Sequence, residues 1–120
     1  MALLAPAATL KSDALDGVCQ GSTYDPTHIP ETVNVSGFEV GGAYFRTAQL
    51  LPIYQTAQHY NREVLLIHGL ADKVVSPNAS RKFPTLLPKS ELHLIPDEGH
   101  MFNGKNRPEV LKLVSEFLIK

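Results

Sequence analysis

Cysteine is all but missing from this chain. Cys19 is the single one, so no internal disulfide can form, and with no CxxC partner it reads as an ordinary packed thiol. Charge of one sign is missing too. Eleven Lys and Arg stand against twelve Asp and Glu, a net charge of −1 with no basic block, which argues against nucleic acid and anionic membrane as partners. No stretch approaches the ~18 apolar residues of a membrane span. The opening Met1 to Ala8 is apolar, but it has no positive leader and Pro6 breaks it. It reads as a strand, not a signal peptide, and favours a cytoplasmic over a secreted location. HExxH and paired Cys/His spacings are also absent, so no metal site is expected.

What is present centres on Val64 to His100. Val64-Leu65-Leu66-Ile67-His68-Gly69 is a continuous apolar run closed by Gly, the pattern of a strand buried on both faces of a parallel sheet. Asp72 lies just past its end. Ser76 can N-cap a helix whose first turn accepts Pro77, and a second strand, Glu91 to Ile95, ends shortly before His100. A strand, a crossover helix and a parallel strand put both loops at one sheet edge, about 5 Å apart. Open α/β sheets bind ligands and do chemistry at that edge. A carboxylate there can fix an imidazole tautomer and leave the second nitrogen to deprotonate a nucleophile. The order Asp then His also matches the α/β-hydrolase order, in which Ser comes first.

The segments Leu66 to Ser80 and Glu98-Gly99-His100 look like the acid and histidine segments of an α/β-hydrolase. More closely, Leu4-Ala5-Pro6-Ala7-Ala8-Thr9-Leu10-Lys11 and Tyr24 to Pro30 resemble bacterial cinnamoyl (feruloyl) esterases. The resemblance covers nearly the whole chain but only the family's carboxyl-terminal half. It implies a partial α/β-hydrolase fold of about three parallel strands with flanking helices. Residues 1–10 and 61–120 would form the core and 11–60 an inserted lid. It implies a serine carboxylic-ester hydrolase acting on hydroxycinnamate esters, with Asp72 as acid, His100 as base and no cofactor. In those esterases an acidic lid residue and a glutamine seven positions on reach the phenolic hydroxyl, with a tyrosine nearby. Asp13, Gln20 and Tyr44 carry over as substrate-binding residues on that spacing.

Departures from the family pattern matter as much. None of the seven serines lies in GxSxG. Ser22 follows Gly21 and Ser36 precedes Gly37, but neither has glycines at both second neighbours, so both read as turn residues. The sequence therefore reads as a truncated piece that is inactive alone, with a free sheet edge on its first strand that can self-associate. Two alternatives stay open: a related hydrolase acting on lipids, peptides or lactones, and a non-catalytic α/β binding module in which Asp72 and His100 lie apart or blocked.

The remaining segments give a coarser picture. Lys11 to Pro30 reads as loop-rich, Val33 to Val40 as a short strand or hairpin arm interrupted by Ser36-Gly37, and Ala43 to Tyr60 as helix that Pro52 kinks or splits in two. Pro84 falls inside the crossover helix expected from Pro77 to about Leu87, and should kink it or end it early. The last helix opens near Pro108, with Val110, Leu113, Val114, Phe117 and Leu118 on one stripe. A metal reading of His68 with Asp72, His93 and Asp97 is outweighed by a structural His68. Asp97 and Glu98 read as a solvated acidic turn.

Overall fold

The computed structural model describes residues 1–119. It divides into two compact units, Met1–Ala8 with Tyr54–Lys120, and Thr9–Ile53.

The first unit holds a three-stranded parallel sheet: β1 (Ala2–Leu4), β6 (Val64–Gly69) and β7 (Ser90–Ile95), in the order β1-β6-β7. All six residues of β6 are buried, which explains why this segment has no polar/apolar alternation. A central strand covered on both faces selects aliphatic residues on both. β7 is the outer strand and only Ile95 on it is fully buried, matching its alternating sequence. Leu65 and Ile67 point to one face, where they pack with Ala5, Ile95, Phe102 and Val110. Helix α5 (Arg107–Leu118) adds Leu113, Val114 and Phe117 to that cluster. Burying each such aliphatic side chain contributes roughly 1.5–3 kcal/mol. Leu118, expected on the same stripe, is 64% exposed. It falls in the helix's last turn.

On the opposite face of β6, the crossover is shorter than a full helix. It consists of α4 (Asn78–Arg81) and a 3-10 turn, Phe83–Thr85. Pro84 ends the helical run as expected, since its ring would clash one turn back. Ser76 does not cap in the expected way: the N-cap is Pro77, and the Ser76 hydroxyl accepts a long 3.3 Å bond from the Asn78 amide.

The second unit departs more from the sequence reading. A helix, α1 (Leu10–Asp16), and a small hairpin, β2 (Val18–Cys19) with β3 (Ser22–Thr23), occupy what reads as loop. Gly17 ends α1 in the left-handed conformation, with φ of 76°, the usual role of Gly past a helix end. The hairpin β4 (Thr32–Val35) with β5 (Phe38–Gly41) turns at Ser36-Gly37, and α2 (Gly42–Leu50) is separated from α3 (Ile53–Ala57) at Pro52. Phe45, Val33 and Val35 form this unit's core, with Tyr24, Ile29 and Val40 against them.

Candidate functional site

Strand register brings two loops together. Gly69 pairs with Ile95 at the carboxyl ends of β6 and β7. Beyond that pair the Leu70 amide donates to the Ile95 carbonyl and the Ala71 amide to the Glu98 carbonyl, each at 2.9 Å. The two loops are therefore stitched together before either reaches its polar residue. Gly69 is required for this approach: a Cβ there would collide with the Glu98 carbonyl.

Asp72 and His100, 28 positions apart in sequence, meet here. His100 Nδ1 lies 2.9 Å from Asp72 Oδ2. The Asp72 side chain is fully buried, whereas that of His100 is 30% exposed. Asp72 Oδ1 accepts bonds from the Val74 and Val75 amides, both at 2.8 Å, so the turn after Gly69 orients the carboxylate. Burial pushes the Asp72 carboxyl up. The Val75 amide, the His100 bond, the Val74 amide and the charge of His100 outweigh it and hold the group below its ordinary value. An ionised carboxylate accepts only, so His100 Nδ1 carries the proton and Nε2 presents a lone pair. Among the described residues Nε2 makes no hydrogen bond. The pair can therefore take a proton from a group brought to Nε2 and stabilise the resulting imidazolium.

The loop bearing His100 is anchored by a residue that reads as solvent-facing in sequence. Glu98 is 1% exposed, and its carboxylate accepts the Gly104 amide at 3.0 Å and the Asn106 amide at 2.8 Å. Asn106 in turn donates through Nδ2 to the Pro96 carbonyl at 2.8 Å. This corrects the view of Glu98 as a solvated turn carboxylate. Asp97 does face solvent, 3.8 Å from Lys105 Nζ. Asp97 and Phe102, not Gly99, adopt the left-handed conformation, with φ of 63° and 49°. His93 bonds Glu91 at 2.7 Å, and no described group of three or more His, Cys, Asp or Glu is arranged to hold a metal.

His68 was legible only as structural, yet it touches the site. It is completely buried, with Nδ1 2.6 Å from Ser80 Oγ and Nε2 2.9 Å from the Val75 carbonyl. Nε2 is also 3.0 Å from Asp72 Oδ2. A signal existed: a polar side chain inside a run buried on both faces must have partners.

In the second unit, Asp13 is half-buried on α1, and Gln20 is exposed at the β2–β3 turn in the left-handed conformation. Tyr44 is 50% exposed on α2. It lines a mostly apolar cavity of about 330 Å³ with Leu10, Ala43, Thr47, Ala48 and Leu51. Asp13 and Gln20 do not line that cavity.

The prolyl oligopeptidase family model matches residues 18–120. The chain belongs to the prolyl oligopeptidase family. Its sheet, flanking helices and strand-end loops are accordingly those of an α/β-hydrolase. Among solved structures, Est1E from Butyrivibrio proteoclasticus is 29% identical with a TM-score of 0.90, over 98% of this chain and 49% of that one. Est1E with ferulic acid bound gives the same identity and TM-score, over 47% of its chain. A monoacylglycerol lipase from Paleococcus ferrophilus, 20% identical with a TM-score of 0.53, covers 68% of this chain and 34% of its own, and shares the fold. This prolyl oligopeptidase family member thus spans about half the length of the Est1E structures it matches. Comparison with curated protein sequences gives no match. Among the described residues no helix is long and apolar enough to cross a membrane.

Proposed function

We propose that the chain carries the acid and base of a serine-type carboxylic-ester hydrolase acting on hydroxycinnamate esters. The observation that supports it above all is the 2.9 Å contact between a buried Asp72 and a part-exposed His100 at the carboxyl edge of a parallel sheet. In this reading His100 Nε2 takes the proton of a serine hydroxyl as it attacks the ester carbonyl. The same nitrogen then returns the proton to the departing alcohol, while Asp72 steadies the imidazolium. Water, deprotonated by His100, releases the acid. The serine and its oxyanion-hole amides are not supplied by a GxSxG in this sequence.

The substrate class rests on the likeness to Est1E, which has been solved with ferulic acid bound. Residues 11–60 would act as the lid, with Asp13, Gln20 and Tyr44 contacting the aromatic acyl group. The apolar cavity beside Tyr44 suits a ring, and no metal or organic cofactor takes part. A site that pairs a phenolic hydroxyl discriminates against analogues lacking it, since its polar groups are then left unpaired. A peptide amide is the second reading, favoured by the prolyl oligopeptidase family match.

The test is a chimera that joins the preceding half of Est1E to this chain. Hydrolysis of methyl ferulate should exceed that of methyl cinnamate and of a short peptide amide, and His100→Ala should lower kcat by about a million-fold. Turnover independent of His100 would defeat the acid–base assignment. Equal rates on ferulate and cinnamate would defeat the lid assignment alone.

A further inference from the structure

We propose that His68 is a positioning residue for Asp72, holding the carboxylate so that Oδ2 faces His100. The inference rests on the acid–base reading above. Its starting point is the tautomer of a buried ring. The Val75 carbonyl can only accept, so its 2.9 Å contact with His68 Nε2 requires a proton on that nitrogen. Nδ1 is then an acceptor, and the buried Ser80 hydroxyl donates to it at 2.6 Å. The ring is fixed from both sides. Those two bonds alone would satisfy a core histidine.

The Val75 contact is the informative one. Nε2 donates to the Val75 carbonyl, and the Val75 amide in turn donates to Asp72 Oδ1 at 2.8 Å. Nε2 also lies 3.0 Å from Asp72 Oδ2. Asp72 therefore has two amides on Oδ1 and the His100 imidazole on Oδ2. His100 is a ring that is 30% exposed and must move protons during turnover. The fully buried His68 ring fixes the turn that grips Oδ1. This arrangement keeps the acceptor in place while His100 changes charge.

The test compares two substitutions of similar polarity in the purified chain. Glutamine can put an amide N–H where Nε2 lies, whereas asparagine reaches only the Nδ1 position. His68→Asn should raise the midpoint of the Asp72 carboxyl titration, followed by carbon NMR, by about one unit, and His68→Gln should restore most of it. Equal shifts in the two variants, or none, would overturn the proposal, because loss of packing alone would not separate them. If His68→Asn fails to fold, Asp72→Asn decides. The His68 Nε2–H resonance should move when the carboxylate is removed, and an unmoved resonance would overturn the proposal. The underlying reading fails separately, if wild-type His100 shows no Nδ1–H resonance that is lost in Asp72→Asn.

Discussion

Replacing Gly69 by alanine should cost far more than replacing Gly99, although the two lie close together. A Cβ on Gly69 would overlap the Glu98 carbonyl oxygen, and would stand 2.7 Å from the Glu98 carbonyl carbon and 2.9 Å from the Gly99 oxygen. All three atoms are backbone, so no side-chain rotation relieves the clash. The loop carrying His100 must retreat by at least about 0.7 Å to restore ordinary contact with the carbonyl carbon, and further to clear the nearer oxygen. Overpacking of this kind costs about 1–3 kcal/mol. The same retreat stretches the Ala71 to Glu98 hydrogen bond, worth about 1 kcal/mol. Together these give a loss of about 2–4 kcal/mol.

Urea denaturation followed by circular dichroism would measure it. With a slope of about 2 kcal/mol per molar, the midpoint should fall by about 1–2 M. Gly99 has open space around its missing Cβ and no left-handed backbone, so Gly99→Ala should stay within about 0.5 kcal/mol of wild type. Gly69→Ala should also weaken the His100 Nδ1–H signal, because the loop moves away from Asp72. A Gly69→Ala midpoint equal to that of Gly99→Ala would refute the claim that close backbone approach sets the site.

Glu98→Ala strands the Gly104 and Asn106 amides and should lower stability by about 2–3 kcal/mol, read as a urea midpoint; Glu98→Asp should recover little of it, being too short. Asp72 has a depressed carboxyl value in the folded state, so the unfolded chain binds its proton first as pH falls. Its stabilisation is present above about pH 3.9, the unfolded value, and is lost as pH drops through the lower folded one; Asp72→Asn should flatten that part of a stability–pH curve. The 120-residue chain alone should show no His100-dependent turnover of a p-nitrophenyl ester, since no serine in it lies in GxSxG. β1 pairs only with β6 among the described residues, and sedimentation should detect self-association through its other edge, which Leu4→Pro should reduce, since Leu3 and Ala5 are the residues that bond β6.

The parts of this fold that were legible in sequence are those in which one physical demand dominates. A strand covered on both faces must be apolar throughout, so Val64 to Gly69 announced itself, and right-handed crossover then put Asp72 and His100 on one edge. Prolines 52 and 84 marked helix ends because a missing donor and a steric clash act locally. Helix α1 was not legible, because Leu10 to Asp16 contains a single fully buried residue, Ala14, too little apolar periodicity to stand out from the surrounding Gly, Ser and Asp.

Glu98 was misread for a different reason. It is a polar residue whose side-chain partners are backbone groups of a following turn, the Gly104 and Asn106 amides. Backbone partners leave no trace in residue identity, so a buried carboxylate that clamps a loop has the same sequence signature as one in water. The Asp72–His100 pair was visible in sequence, while Glu98, which anchors the loop bearing His100, became visible only once that loop was folded.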